Sequence, residues 1–232
     1  MADPLRALRT SLAEQLAALR GVAVGDLPAP LLDIVVRRLD LGGDVAYYVR
    51  PADWEALREE EGAAGRGVPW WARPWRSGRV LAGALARHPL RAGSRVLELG
   101  CGLGLPSLMA ARAGAEVLAT DGVTDAVAFA AHGLALNEVA AEVAHVDWTA
   151  HGDALAARGP WDVVLAADVL YTRGNVQAAL QLLPRLVAPG GEIRLADPGR
   201  AGARDFLAAM RGTFHVQTRK LDDVTLHSLR RR

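Results

Sequence analysis

Three glycines on alternate positions follow an acid in Glu98-Leu99-Gly100-Cys101-Gly102-Leu103-Gly104, and this is the stretch of the chain best suited to chemistry. An apolar run with β-branched character enters the acid, and a helix-like run, Leu105 to Ala113, follows the last glycine. Strand, tight turn and helix in that order present backbone N–H groups to a bound nucleoside. Missing Cβ atoms let the main chain approach the ligand, and the helix N-terminus can face a ligand carboxylate. Dinucleotide folds want Gly-x-Gly-x-x-Gly, whereas here the third glycine comes one residue early. Cys101, between two of these glycines, reads as a small packing residue rather than a nucleophile.

Ligands of such folds bind beyond the carboxyl ends of the strands, so the residues that close each apolar run come next. Asp121 lies 21 residues past Gly100, a distance that fits one helix and one strand. A carboxylate there can accept both hydroxyls of a ribose, as in NAD enzymes, and a solvated turn aspartate is the plain alternative. Asp147-Trp148 closes a third run: the acid can accept from an adenine amine and the indole can pack on the ring. Asp168-Val169-Leu170-Tyr171 closes a fourth. A buried aspartate is costly unless paired or functional, so this is the expected place of substrate contact. Pro69 to Gly78 holds half of the six tryptophans beside proline and glycine, and suggests a ligand-facing rim.

The elements that must position these residues can be read from hydrophobic periodicity. Leu5, Leu8, Leu12, Leu16 and Leu19 predict an amphipathic helix, and Leu31, Ile34, Val35 and Leu39 a second helical run. Val45–Val49 predicts a strand, and a helix covers Asp53–Glu60 with Pro51 near its start. Gly62–Pro69 is the candidate boundary between a mostly helical extension, 1–69, and a second unit, 70–232. Beyond it strands are expected at Arg95–Leu99, Glu116–Thr120, Glu142–Val146, Asp162–Ala167 and Glu192–Ala196, with helices at Ser77–Arg87, Asp125–Asn137, Val176–Val187 and Gly202–Arg211. Thr213–Arg219 and Val224–Leu229 read as an antiparallel hairpin. This alternation predicts an α/β, Rossmann-like, doubly wound sheet of seven mostly parallel strands, with an antiparallel C-terminal strand and a helical N-terminal extension.

Composition narrows the field. With 232 residues and 51% hydrophobic content, the chain can bury a sizeable core. Every apolar run is shorter than a membrane span. The Met1-Ala2-Asp3-Pro4 start is neither basic nor followed by a signal core. A formal net charge of +1 gives no electrostatic reason to expect nucleic acid, and Arg230-Arg231-Arg232 reads as a solvated tail. The lone cysteine excludes an intrachain disulfide and fits a cytoplasmic location. No metal is expected.

Taken together, these segments resemble the protein-lysine-methyltransferase-like group of seven-strand S-adenosylmethionine-dependent methyltransferases. The resemblance is carried by Trp70-Trp71-Ala72-Arg73-Pro74-Trp75-Arg76-Ser77-Gly78, Gly104-Leu105-Pro106-Ser107-Leu108, Ala113-Gly114-Ala115-Glu116-Val117, Asp147-Trp148-Thr149 and Ala167-Asp168-Val169-Leu170-Tyr171. Within the group, Trp70-Trp71-Ala72 and Asp197-Pro198-Gly199-Arg200 look most like the electron-transfer-flavoprotein β-subunit lysine methyltransferases and their bacterial relatives. It covers roughly 69–220 and leaves the extension unmatched. Arg76 stands where the group usually has proline, and Gly122-Val123-Thr124 replaces the usual Ile-Asp-Pro.

The resemblance implies methyl transfer from S-adenosylmethionine, with a lysine side chain of a protein as acceptor. Its implied cofactor-binding positions are Trp75, Glu98, Gly100, Cys101, Gly102, Gly104, Asp121, Asp147, Trp148 and Ala167, and its acceptor-side residues are Asp168 and Tyr171. Asp168 would position the amine and Tyr171 wall its channel, without either serving as an essential base. The extension would lie on the substrate side. A small-molecule N- or O-methyltransferase, a non-catalytic cofactor-binding partner protein and an NAD(P) oxidoreductase are the competing readings.

Overall fold

The computed structural model describes residues 4–232, so the reading of the Met1-Ala2-Asp3 start lies outside the described residues. From Arg95 onward, β-branched and aliphatic runs alternate with helical ones and build one seven-stranded sheet. Its strands are β3 (Arg95–Leu99), β4 (Glu116–Asp121), β5 (Glu142–His145), β6 (Trp161–Ala167), β7 (Val187–Asp197), β8 (Phe214–Leu221) and β9 (Val224–Arg231). The order across the sheet is β5-β4-β3-β6-β7-β9-β8. Strands β3 to β7 run parallel, and the last strand, β9, is antiparallel to both its neighbours. Helices α4 (Arg76–Arg87), α5 (Leu105–Arg112), α6 (Thr124–Ala135), α7 (Trp148–Arg158), α8 (Arg173–Leu186) and α9 (Ala201–Met210) supply the crossovers and cover the faces.

Register fixes what lies next to what. Leu99 of β3 pairs with Thr120 of β4 and with Ala166 of β6. Gly100, Asp121 and Ala167 therefore leave the sheet side by side, at the point where strand order reverses. Ala167 in turn pairs with Ala196, which sets Asp168 beside Asp197. Open α/β sheets place ligands at this kind of crevice.

The N-terminal extension holds α1 (Pro4–Arg20), α2 (Ala29–Leu32), β1 (Ile34–Asp40), β2 (Val45–Pro51) and α3 (Trp54–Ala63). The second helical run expected from Leu31 to Leu39 is corrected here: after one turn of helix it becomes β1, paired antiparallel with β2. Ile34, Val35 and Val36 are β-branched in succession, which favours extended backbone. The hairpin turn is tied by Asp40 Oδ1, which accepts from the Gly42 N–H at 2.9 Å. Pro51 ends β2 rather than opening a helix; Asp53 caps α3 instead, its Oδ1 accepting from the Ala56 N–H at 3.0 Å.

One buried apolar cluster crosses position 69: Leu12 and Leu16 of α1 and Leu57 of α3 share it with Phe129 of α6 and Trp71. A buried ionic network reinforces the junction. Arg20 donates to Asp125 through Nε at 2.8 Å and Nη2 at 2.5 Å, and to Glu61 through Nη2 at 3.1 Å. Arg66 holds the other side of Glu61, at 2.6 and 2.9 Å. Asp125 sits in the first turn of α6, so the extension grips the helix that follows Asp121.

Candidate active site

The crevice at the strand ends opens into a cavity of about 530 Å³, within the range of about 300–1,000 Å³ typical of small-molecule sites. Its floor is the turn after β3. Gly100 and Gly102 take φ of +64° and +52°, left-handed values that side chains rarely adopt. A Cβ on Gly102 would stand 3.3 Å from the Trp71 carbonyl oxygen. Glycine there serves two needs: the turn conformation and the close seat of Trp71.

Asp121 ties this turn to β4. Its Oδ2 accepts from the Gly102 N–H at 2.9 Å and its Oδ1 from the Val123 N–H at 3.0 Å. Each oxygen keeps a lone pair that a ribose hydroxyl can use. Burial raises the proton affinity of the Asp121 carboxyl, and the Gly102 and Val123 N–H groups oppose the rise. Behind it lies Glu98, whose Oε2 accepts from the Ser107 N–H at 2.9 Å and from the Ser107 hydroxyl. Burial pushes the Glu98 carboxyl up to about 8. The same burial, with the Asp121 and Glu98 charges, drives the Cys101 thiol well above its ordinary value, which favours the neutral thiol over the nucleophilic thiolate.

Asp147 caps α7. Its Oδ1 accepts from the Thr149 hydroxyl at 2.6 Å and the Thr149 N–H at 2.9 Å, and these bonds lower its proton affinity. Trp148 is buried, part of the core and part of the cavity wall.

At the end of β6, Asp168 adopts φ +65°. Its N–H donates to the Ala196 carbonyl at 2.9 Å, which holds the unusual backbone against β7. Arg200 Nη1 forms an ion pair with Asp168 Oδ1. Tyr171, 56% exposed, stands at the mouth. Asn175, in the first turn of α8, donates through Nδ2 to the Val169 carbonyl at 2.7 Å and braces the loop between them.

The mouth has an aromatic rim. Trp75 Nε1 donates to the Trp70 carbonyl at 2.6 Å, and the Trp70 ring lies 5.8 Å from Trp75 and 5.9 Å from Trp54 of α3. The Arg73 guanidinium stacks over Trp54 at 4.9 Å and over Trp75 at 5.2 Å. Such contacts rigidify a cationic group beside an apolar wall. Ionised acids outnumber bases along the cavity, since Asp121, Asp147 and Asp168 face Arg73 and Arg200 while Glu98 keeps its proton up to about pH 8. The balance suits a ligand with positive charge. Every site residue expected from the sequence lines the cavity except Gly104. Gly104 caps α5 with φ +72°, and a Cβ there would press on Ala130 Cβ at 3.2 Å, so it packs α5 against α6. Arg73 stands in the 69–78 segment expected as a rim, whereas Asn175 and Arg200 were missed as lining residues, as was the Trp54 contribution to the rim. Arg200 did stand in a segment singled out for resemblance; Trp54 lay too far along the chain to be placed.

Residues 69–212 match a protein-family model described as lysine methyltransferase. The chain is 33% identical over 138 residues to the electron transfer flavoprotein beta subunit lysine methyltransferase of Xenopus laevis, covering 58% of this chain and 54% of that protein. It is also 33% identical over 137 residues to the ubiquinone biosynthesis O-methyltransferase of Xanthomonas oryzae pv. oryzae, covering 54% and 56%. The chain spans about half the length of the curated relatives it matches. Among solved structures, the T. thermophilus 16S rRNA N2 G1207 methyltransferase (RsmC), in complex with AdoMet and guanosine, superposes with a TM-score of 0.67 at 21% identity, covering 89% of this chain and 52% of that one. That likeness concerns the fold.

Proposed function

The chain belongs to the lysine methyltransferase family, and from that premise we propose that it transfers a methyl group from S-adenosylmethionine to a lysine side chain of a protein. The observation that carries this reading is the joining, in one cavity, of a glycine cradle anchored by Asp121 with an Asp168–Tyr171 pair at the mouth. The cradle fits the cofactor: Gly100 and Gly102 hold the turn in left-handed backbone that side chains rarely adopt, and Asp121 accepts from the Gly102 N–H while its remaining lone pairs face the cavity. Gly100, Gly102 and Asp121 would hold the ribose side, Asp147 and Trp148 the base, and Trp75 and Glu98 the remainder.

When bound, the cofactor supplies an electrophilic methyl on a sulfonium. The protein's part is alignment and exclusion of water. Trp70, Trp75 and Tyr171 line the path of the acceptor and desolvate its amine, which favours the neutral form. Asp168 accepts a hydrogen bond from that amine and fixes its direction. The amine's proton leaves to solvent at the mouth. The neutral nitrogen lone pair would thus be presented towards the methyl the cofactor supplies, and Asp168 would face the methylated ammonium that results. Trp54 of the 1–69 extension packs on Trp70 of the rim, which supports placing the extension on the acceptor side. Among the described residues no helix is long and apolar enough to cross a membrane. A cytoplasmic location agrees with a single, buried cysteine.

The similarity to ubiquinone biosynthesis O-methyltransferases supports a second reading, a small-molecule acceptor. One experiment separates the two. The protein is incubated with methyl-deuterated S-adenosylmethionine, a bacterial extract and purified electron transfer flavoprotein, and all fractions are analysed by mass spectrometry. Deuterated methyl-lysine in protein supports the proposal. Label found only in metabolites overturns it in favour of the second reading.

A further inference from the structure

The acceptor end of the cavity holds a cation with no part in the transfer step itself. Arg200 Nη1 pairs with Asp168 and also stands 3.5 Å from Asp197 Oδ2. Asp197, at the end of β7, is fully buried, and its Oδ1 accepts from the N–H groups of Gly199 at 2.6 Å and Arg200 at 2.7 Å. The Arg200 backbone is thereby fixed to β7, while the Asp168 backbone is fixed to the same strand through Ala196. Each partner is anchored by the main chain, and only 14% of the Asp168 side chain is exposed. This is a built pair at the cavity wall, distinct from the surface pairs of the molecule.

An acceptor amine poses a chemical difficulty at this spot. It must be neutral to attack, and its reference pKa is about 10.4. A bare carboxylate beside it would orient it but also stabilise its ammonium form. We propose that Arg200 is a positioning residue whose guanidinium offsets the Asp168 charge, so that Asp168 orients the acceptor amine without holding it protonated. This rests on the lysine reading of the site. Arginine suits this role because its guanidinium stays charged, is no rival acceptor, and presents a planar fork that can reach two carboxylates at once. The other charged or titratable groups around the pair are few. Asp197 approaches from β7 and His227 from β9, where burial favours the neutral imidazole and Asp197 opposes that. Tyr171 lies on the adjoining loop, and Glu98, Asp121, Asp147 and Arg73 line the same cavity.

Two measurements test the proposal. The first is carbon-13 NMR titration of the ligand-free protein labelled at aspartate carboxyls, with Asp168→Asn to assign the signal. The Asp168 carboxyl pKa should rise by about 1–3 pH units in Arg200→Gln, the usual effect of losing an adjacent opposite charge, and Arg200→Lys should retain most of the parent value. The second is the initial rate of tritiated methyl transfer from S-adenosylmethionine into extract proteins as a function of pH. The rising limb should move to higher pH by about one unit or more in Arg200→Gln, a roughly ten-fold loss at a fixed pH on that limb. Adding Asp168→Asn to Arg200→Gln should bring the limb back, which a merely structural role of Arg200 would not do. Calorimetric affinity for S-adenosylhomocysteine should stay within a few-fold in all variants. An Asp168 signal that titrates alike in parent and Arg200→Gln, or a limb that does not move, overturns the proposal while leaving the methyltransferase reading intact. Absence of lysine label with the parent protein overturns both.

Discussion

Glu98 offers the sharpest measurement of how the site is built. Its side chain is 1% exposed and burial pushes its carboxyl from the ordinary 4.5 up to about 8, with Ser107 pulling the other way and the Asp121 charge adding to the rise. The sign follows from proton counting. Between these values the unfolded chain has lost its proton and the folded protein keeps it, so stability falls as pH rises. Below the lower value both states are protonated, and above the upper one both are ionised, so the slope vanishes at each end. At about 1.36 kcal/mol per pH unit, the window from 4.5 to about 8 amounts to about 5 kcal/mol. Glu98→Gln is neutral at every pH, and its carbonyl can still accept from Ser107. The variant should match the parent near about pH 5 and exceed it increasingly towards about pH 8. In a domain of this size that gap amounts to about 10–20 °C in melting temperature. Urea denaturation at stepped pH reads it as a difference between two curves, which cancels the titrating groups that do not interact with Glu98. Parallel curves would refute the reasoning, because they would mean that Glu98 ionises alike in both states.

Three further outcomes follow from the geometry. Gly102→Ala, at φ +52° with its new Cβ 3.3 Å from the Trp71 carbonyl, should lose about 1–3 kcal/mol of stability, and its S-adenosylhomocysteine affinity should drop by calorimetry; parent-like values for both would show that the turn tolerates a side chain. Asp121→Ala should weaken the same binding by about 1–3 kcal/mol, and an unchanged affinity would remove Asp121 from the ribose site. Arg20→Met leaves Asp125 and Glu61 buried without their shared cation, so denaturation should show a loss of about 3–5 kcal/mol that Arg20→Met with Asp125→Leu largely restores; equal losses in the two would mean that the charge pairing is not what holds the junction.

The parts of this molecule legible in sequence are those with a local physical signature. Glycines at alternate positions behind Glu98 announced the turn because left-handed backbone and close approach both select glycine. Strand ends at Asp121, Asp147 and Asp168 were readable because each closes an apolar run with an acid. The misses have equally definite causes. Leu31 to Leu39 carries apolar residues at helical spacing, and the β-branched Ile34-Val35-Val36 overruled that period once a partner strand was available. Helix α7 went unread because it is kinked at His151, φ −119°, and interrupted by Gly152, so its periodicity is weak. The Pro189-Gly190-Gly191 stretch reads as a break, yet β7 runs through it with a register shift against β6. Arg200 reaches the cavity, and Trp54 reaches Trp70 of its rim, only through tertiary placement, and no local pattern marks such residues.

The glycine-turn end of the cavity, where the proposed reading seats the cofactor, is made of backbone conformation and of acids that hold backbone, all inside the matched segment 69–212. Any chain that keeps the turn keeps that end. The acceptor end is assembled differently. Arg200 bridges the ends of two neighbouring strands. The rim is completed by Trp54, which lies outside the matched segment and reaches Trp70 because α3 is docked by the Arg20–Glu61–Asp125 network and a shared apolar cluster. Specificity for an acceptor is a difference in contacts made at that rim. Under the proposed reading that choice rests on the packing of an extension outside the matched segment, and substitutions in residues 1–68 should then redirect the acceptor while leaving the glycine cradle untouched.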